Sequence, residues 1–283
     1  MQDMYERLYL RCGRTDGKFG VEIEVEGRNL PTKYEDAAFD LLWKVEMDGS
    51  LKGKYDNLEY VMKVPLSLDG VKESIAALER RYNEKESKVD ETVRAGVHVH
   101  LNIQSYSPLE LLTFATTYYM LEDYFVHWSG AGRVGNHFCL RATDAEGVIY
   151  KLIDACEKRD WRYLNTDDIR YASLNWNAMH KYGSIEFRSM RSTRKLEDVV
   201  RWVELIDQLT VGAKKFNNPR EVVSAASEFE GPVRFIEYVM ENYAEEFLQF
   251  RDVNIWEGLR NVQPLAFLID WGKFNKQKVN PFV

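Results

Sequence analysis

The sequence predicts an α+β protein in which helices pack on one side of an antiparallel sheet. Two observations support this prediction. Short segments that alternate apolar and polar residues recur along the chain, and longer amphipathic segments with helical spacing lie between and after them. No Gly/Ser-rich or Pro-rich linker divides the 283 residues. We predict a core over residues 1–217 and a helical C-terminal extension over residues 218–283 that packs on this core.

Strands are predicted where apolar and polar residues alternate with a period of two. These segments are Val21–Glu26, Leu58–Lys63, Arg94–Ile103 and a hairpin made of Tyr171–Asn177 and Ser184–Met190. Helices are predicted where apolar residues recur three and four positions apart. These segments are Tyr34–Trp43, Ser67–Lys85, Pro108–His127, Leu196–Phe216 and the stretch from Pro219 to Phe250. The chain beyond Phe250 is rich in aromatic residues and is predicted to be irregular.

Composition limits the class of protein. A net charge of −7 and a pI of about 5.4 argue against a nucleic-acid-binding protein, which usually carries a basic excess. Mean hydropathy is −0.44, and no apolar stretch is long enough to span a membrane. Met1–Arg14 lacks the apolar core of a signal peptide. Three scattered cysteines, Cys12, Cys139 and Cys156, are typical of a reducing compartment, so we expect a cytoplasmic protein.

The first predicted strand carries three acidic residues on one face. Because residues two apart share a face, Glu22, Glu24 and Glu26 align opposite Val21, Ile23 and Val25. Like charges at this spacing repel one another, and a bound Mg²⁺ would offset the repulsion. The alternative is a solvent-exposed acidic face with no ligand.

Two further strands carry polar residues with the same period. His98, His100 and Asn102 share a face, and His-x-His on a strand is a recurrent metal-ligand spacing, although a pair of surface imidazoles also accounts for it. Glu186 and Arg188 project together, as a metal-binding carboxylate with a phosphate-binding guanidinium or as a simple ion pair. The joint occurrence of these strands favours one polar face that binds metal and phosphate.

Two other motifs point less clearly to a function. Asp48-Gly49-Ser50 is a common turn sequence, and Glu59 follows it at the start of a strand. Gly130–Gly135 matches G-x-G-x-x-G, but a long helix precedes it where the dinucleotide motif requires a strand, so we interpret it as a flexible loop. Arg133 and Arg141 in or near this loop could reach an anionic substrate. Cys139 is interpreted as a buried residue rather than a nucleophile.

The motifs, taken in order, resemble those of the amidoligase family, whose members are similar to glutamine synthetase and glutamate–cysteine ligase. The series that carries the resemblance comprises Gly20-Val21-Glu22-Ile23-Glu24, Asp48-x-Ser50, Glu59, Gly96-x-His98-x-His100, Arg170-Tyr171-x-x-Leu174-Asn175, Ile185-Glu186-Phe187-Arg188 and Ser192-Thr193. The resemblance covers residues 18–215. It implies a glutamine-synthetase-like catalytic fold, in which a curved antiparallel sheet forms a cradle with helices packed on one side.

The resemblance also implies roles for individual residues. The metal ligands would be Glu22, Glu24, Glu59, His98 and Glu186. The ATP-binding residues would be His98, Arg170, Asn175 and Arg188. The catalytic residues would be Arg188, Arg170 and His100, with His100 on the substrate side. Glu26 is a third acid that the family pattern does not require.

The implied reaction is an ATP- and Mg²⁺-dependent condensation of a carboxylate with an amine through an acyl phosphate, with Mn²⁺ as an alternative metal. The expected substrates are small-molecule or peptide carboxylates and amines, and a homo-oligomer is compatible with the resemblance. The alternatives are a guanidino-type phosphotransferase of the same superfamily, a zinc hydrolase built on His98 and His100, and a non-catalytic scaffold that keeps the fold.

Overall fold

Seven strands form one sheet in a computed structural model that describes residues 16–34, 36–145, 147–229 and 231–275. The strand order is β2-β3-β1-β5-β7-β6, β4 pairs separately with β1, and every pairing between these strands is antiparallel. The strands are β1 (Phe19–Arg28), β2 (Trp43–Met47), β3 (Asp56–Met62), β4 (Lys88–Asp90), β5 (Gly96–Asn102), β6 (Leu174–Asn175) and β7 (Ser184–Arg191). The predicted α+β class is confirmed. Met1–Arg14 lies outside the described residues.

Helices make up most of the remaining described chain. They are Ala37–Leu42, Leu68–Glu84, Pro108–Trp128, Val148–Lys158, Ala178–Tyr182, Leu196–Ala213, Pro219–Glu228, Pro232–Met240, Glu245–Leu248, Ile255–Leu268 and Gly272–Asn275. We call Pro108–Trp128 the central helix and Ile255–Leu268 the C-terminal helix. Among the described residues, no helix is both long enough and apolar enough to cross a membrane.

The period-two pattern of β1 divides its side chains between two environments. Val21, Ile23 and Val25 are fully buried, because they face the hydrophobic core. Glu22 and Glu24 lie on the opposite face and remain partly accessible. The predicted division of this strand is therefore confirmed, and β1 lies near the middle of the sheet, between β3 and β5.

The central helix supports the sheet from the core side. It begins in a capping box, in which the Ser107 hydroxyl accepts from the amide of Glu110 and the Glu110 carboxylate accepts from the amide of Ser107. Nearly all of its side chains are buried. Phe187 of β7 packs edge-on against Tyr118 of this helix, with ring centroids 5.2 Å apart. The apolar residues of β7 are thereby fixed, and its alternate residues point away from the core.

Two local predictions need correction, and one helix was missed. The helix predicted over Tyr34–Trp43 covers only Ala37–Leu42, because Trp43 begins the edge strand β2. Trp43 is buried, and its indole N–H donates to the carbonyl of Ser74. The predicted hairpin pairs β6 with β7 as expected, but its turn contains the helix Ala178–Tyr182. The helix Val148–Lys158 was not predicted at all.

The prediction of an irregular segment beyond Phe250 was wrong. The C-terminal helix occupies Ile255–Leu268, although it contains Pro264, which argues against a helix in a sequence. Gly258 allows the C-terminal helix to approach the central helix closely, since a Cβ there would lie 2.5 Å from the carbonyl oxygen of Met120. The division of the chain at residue 217 stays a prediction.

Candidate active site

Neighbouring strands place six ionisable side chains on the face of the sheet opposite the core. Glu22 lies across from His98 in the β1–β5 pair, and His100 lies across from Glu186 in the β5–β7 pair. Glu24 lies across from Glu59 in the β1–β3 pair. We call Glu22, Glu24, Glu59, His98, His100 and Glu186 the acid–histidine cluster. The sequence pattern placed Glu22, Glu24, His98, His100 and Glu186 on polar faces, and the strand register brings them together with Glu59.

His98 lies at the centre of this cluster. Its Nδ1 atom is 3.4 Å from Oε1 of Glu186 and 3.6 Å from Oε2 of Glu22. Its Nε2 atom is 3.8 Å from Oε1 of Glu24. One buried imidazole ring therefore faces three carboxylates from two strands, and it can bridge them by hydrogen bonds or contribute to a cation site.

Three potential ligand atoms lie close enough together that they could hold a metal ion. One atom each from Glu22, His100 and Glu186 lie within 4.8 Å of one another. Nδ1 of His100 hydrogen-bonds to the Ser184 hydroxyl at 3.0 Å, and Nε2 lies 3.3 Å from Oε1 of Glu22. In proteins, a metal-binding histidine is oriented by a hydrogen bond at the ring nitrogen that does not bind the metal. Two carboxylates with an imidazole suit Mn²⁺ and also Mg²⁺ that keeps several waters.

The ionisation of the cluster follows from its neighbours. Burial by itself raises the pKa of Glu22, but the hydrogen bonds and charges of His100 and His98 outweigh it and hold the pKa well below its ordinary value. Burial likewise opposes ionisation of Glu186, and the charge of Arg188 with those of the two histidines lowers its pKa. Burial lowers the pKa of His100, but the contact with Glu22 and the charge of Glu186 together raise it by more. The pKa of His100 is therefore raised. The Glu22–His100 contact therefore favours the ionised form of the carboxylate and raises the proton affinity of the imidazole.

The pKa values of Glu24 and Glu59 shift in the opposite direction to those of Glu22 and Glu186. Burial raises the pKa of Glu59 to about 7, and the charges of Glu22, Glu24 and Asp48 add to the effect. Burial also raises the pKa of Glu24, against the opposing effects of His98 and of the Gly96 amide, which donates to Oε2 of Glu24 at 2.9 Å. A cation between these carboxylates would relieve their repulsion, which is the physical reason to expect a metal here.

Arg188 and Asn175 hold Glu186 from two sides. The Arg188 guanidinium forms an ion pair with Oε1 of Glu186, and Nδ2 of Asn175 donates to Oε2 at 2.6 Å. Arg188 is half-buried. The structure thus brings both predicted residues to the cluster, with Arg188 in direct contact with one of its carboxylates.

Arg170 does not join the cluster. Its side chain is exposed, and its guanidinium carbon lies 5.2 Å from the ring centroid of Tyr171, whereas that of Arg188 lies 5.9 Å from the same ring. The Tyr171 ring packs edge-on against Phe138 at 6.0 Å, and Arg94 lies over Phe138 at 5.9 Å. We call Arg94, Phe138, Tyr171 and Arg170 the arginine–aromatic rim. Sequence reasoning missed it as a unit, because its members come from three distant segments without shared periodicity.

Glu26 serves the fold and not the cluster. Its Oε1 accepts from the amides of Lys52 and Gly53, at 2.7 and 3.0 Å. It thereby fixes the loop between β2 and β3. Asp48 closes a turn in the same region, since its Oδ1 accepts from the amide of Ser50 at 2.7 Å. The third acid of the first motif therefore has a structural explanation.

The Gly130–Gly135 segment departs from its prediction. It contains a short 3-10 turn, Ala131–Arg133, and the Arg133 side chain is buried against backbone carbonyls. Arg141 is paired with Asp123 and Asp144, at 2.9 and 2.8 Å, so neither arginine is presented to solvent as a free anion-binding group. Cys139 is buried as predicted.

Comparison with protein families identifies a match. A family model described as "Putative amidoligase enzyme" matches residues 32–210, which is more than half of the chain. The matched range includes Glu59, His98, His100, Glu186 and Arg188, whereas Glu22 and Glu24 precede it. No curated protein matches the chain significantly.

Proposed function

The chain belongs to the amidoligase family, and from this premise we propose that it is an ATP- and Mg²⁺-dependent carboxylate–amine ligase that forms an amide through an acyl phosphate. The observation that supports the proposal most strongly is the convergence of Glu22, His100 and Glu186 beside the cation of Arg188. We further propose that the sheet has the glutamine-synthetase-like arrangement, with the acid–histidine cluster on its concave face.

The residues of the cluster suit the metal that this function requires. Glu22, Glu186 and one histidine would hold a first ion, and Glu24 with Glu59 would hold a second. Bound there, divalent ions would neutralise the triphosphate and the developing negative charge during phosphoryl transfer. The chain supplies the carboxylates already oriented, through the hydrogen bonds of Asn175 and the Gly96 amide.

Arg188 is the proposed phosphate-binding residue inside the site. Its guanidinium is half-buried and adjoins the cluster, where the low dielectric strengthens its attraction for a phosphate oxygen. Arg170 is exposed on the rim and is proposed to meet the outer part of the nucleotide. The exposed ring of Tyr171 offers a face on which a flat base could stack.

The proposed reaction has two steps. A carboxylate oxygen of the first substrate attacks the γ-phosphorus, and ADP leaves. The nitrogen of the second substrate then attacks the acyl carbon, phosphate leaves, and the amine proton passes to a base. His100 is the proposed base. Its Nε2 atom cannot bind a metal and accept a proton at the same time, so His100 acts either as a metal ligand or as the base. The metal content of a His100→Gln variant distinguishes these roles, since a ligand role predicts loss of the ion.

Transfer of labelled oxygen tests the function directly. The protein is incubated with ATP, Mg²⁺ and pools of amines and carboxylates in which the carboxylate carries heavy oxygen. An acyl-phosphate route leaves one labelled oxygen in the released phosphate, because the carboxylate oxygen stays bonded to phosphorus. Products that gain a phosphoryl group, with no amide and no labelled phosphate, would instead identify a phosphotransferase. Absence of ATP binding in calorimetry with Mg²⁺ would favour the scaffold alternative.

A further inference from the structure

The pairing of β5 with β7 is irregular next to the cluster. Val97 pairs with Met190 and Val99 pairs with Phe187, so Arg188 and Ser189 together oppose His98 alone. An extra residue of this kind is a β-bulge, which bends its strand and redirects side chains, and bulges are frequent beside active sites. This one lies on the strand that carries Glu186 and Arg188, directly across from His98.

A single buried side chain binds the backbone of this bulge. Nε of Arg133 donates to the carbonyl of Ser189 at 2.9 Å, and Nη2 donates to the carbonyl of Arg188 at 2.7 Å. Successive carbonyls of a regular strand point to opposite sides. One planar guanidinium can reach both only because the bulge turns them to the same side, and its rigid fork of donors matches that arrangement.

The same guanidinium adjoins the other end of the cluster. Nη2 of Arg133 would lie 3.3 Å from a Cβ built on Gly96, and Nε2 of His98 would lie 3.4 Å from it. The Gly96 amide in turn donates to Glu24. Arg133 therefore binds the strand that carries Arg188 and lies beside Gly96 of the strand that carries His98.

The glycine-rich segment explains how Arg133 reaches this position. Gly130 and Gly135 both have positive φ, at 106° and 69°, which side-chain-bearing residues rarely adopt. Between them, the 3-10 turn Ala131–Arg133 directs the arginine into the protein. The G-x-G-x-x-G segment thus places an arginine side chain in the interior, and it follows a helix where the dinucleotide motif requires a strand.

We propose that Arg133 is a positioning residue of the site: it holds the Arg188–Ser189 bulge, and through it the orientation of Arg188 towards the phosphate. The part of this inference that concerns phosphate rests on the proposed function. The part that concerns the bulge does not, and the two parts have separate tests.

Hydrogen exchange on the full chain tests the bulge. In Arg133→Met, which removes the donors and keeps much of the volume, amide exchange over residues 184–191 should accelerate by at least about tenfold, while residues 19–28 stay protected. Arg133→Lys should also accelerate it, because an ammonium has no planar fork. The matched control is Arg141→Met, an arginine of the same region whose partners are acidic side chains. Unchanged exchange over residues 184–191 in both Arg133 variants would overturn the proposal.

A double-mutant cycle tests the route through Arg188. Calorimetry should show that Arg133→Met weakens Mg-ATP binding by about tenfold. The Arg133→Met/Arg188→Ala protein should bind no more weakly than Arg188→Ala alone, because the first residue acts through the second. Additive losses would contradict this route. If the wild-type protein binds no Mg-ATP, the proposed function fails, and the exchange experiment still decides whether Arg133 holds the bulge.

Discussion

Nδ2 of Asn175 donates to Oε2 of Glu186 over 2.6 Å, so a residue of the two-residue strand β6 fixes a carboxylate of β7. The other carboxylate oxygen of Glu186, Oε1, forms an ion pair with Arg188. A carboxylate restrained at both oxygens offers its remaining lone pairs in a defined direction, which is what a metal ligand requires.

The first prediction follows from this contact. Asn175→Ala should weaken Mn²⁺ binding by about tenfold, because Glu186 loses one of its two restraints. Titration calorimetry on the purified protein measures it. Asn177→Ala is the matched control, since the Asn177 amide group donates to the carbonyl of Thr166 and not to the cluster. Equal metal affinity in the two variants would show that Glu186 needs no support from β6.

The second prediction separates the acids of β1. Glu22→Gln and Glu186→Gln should each abolish Mg²⁺-dependent ATP turnover while the protein stays folded, because an amide cannot supply the negative charge of a metal ligand. Glu26→Gln is an isosteric control on the same strand, and it should retain turnover because Glu26 bonds to the amides of Lys52 and Gly53. Release of ADP, with circular dichroism to check folding, gives the comparison. Wild-type turnover in Glu22→Gln would refute the metal assignment.

The third prediction ranks two arginines. Arg188→Ala should raise the KM for ATP by at least about tenfold, since a half-buried charge beside the cluster is lost. Arg170→Ala should change it by less than about threefold, because Arg170 is exposed and its charge is screened by solvent. Steady-state kinetics over a range of ATP concentrations measures both. A larger effect of Arg170 would place the nucleotide along the rim and not over the cluster.

The fourth prediction concerns stability and pH. Glu122 is buried on the central helix, where it accepts from the Ser173 hydroxyl and from the Ala142 amide at 2.8 Å, and burial raises its pKa from 4.5 to about 8. The folded state therefore binds this proton more tightly than the unfolded state. Its contribution to stability is complete below the unfolded value of 4.5 and is lost as the pH rises towards 8.

Glu122→Gln should remove this dependence, because glutamine resembles the protonated acid. The free energy of unfolding of the wild type should fall with pH in that window, by up to about 1.4 kcal/mol per pH unit, and the variant should show a flatter profile. Urea unfolding at a series of pH values measures it. Glu157→Gln, at an exposed position, is the control. Parallel profiles for the wild type and Glu122→Gln would mean that Glu122 ionises normally in the folded protein.

The strands that carry the cluster could be predicted because their signal is local. In β1 and β5 every second residue is apolar and buried, and in β7 Ile185 and Phe187 follow the same period up to the bulge, so the period identifies the polar face. The register that joins Glu22 to His98 and His100 to Glu186 is a property of pairing between strands far apart in the chain. Periodicity shows which residues share a face, but not which ones meet across strands.

The missed features depend on tertiary contacts. Pro264 argues against a helix in isolation, yet the C-terminal helix forms because its apolar face is buried against the central helix. Arg133 could not be recognised as a backbone-binding residue, because its partners are carbonyls of a bulge about fifty residues later, and a bulge carries no residue-type signature here. The rim was missed for the same reason, since Arg94, Phe138 and Tyr171 converge only in the folded chain.

The burial of the central helix has a consequence for how the protein is made. The ribosome completes all seven strands by Arg191, but the helices Pro219–Glu228 and Ile255–Leu268, which cover the central helix, emerge afterwards. During that interval an apolar helix is synthesised without its cover, and such intermediates aggregate readily. The nascent chain therefore holds every residue of the acid–histidine cluster before the central helix is covered, and a chaperone that shields residues 108–128 in that interval should raise the yield of folded protein.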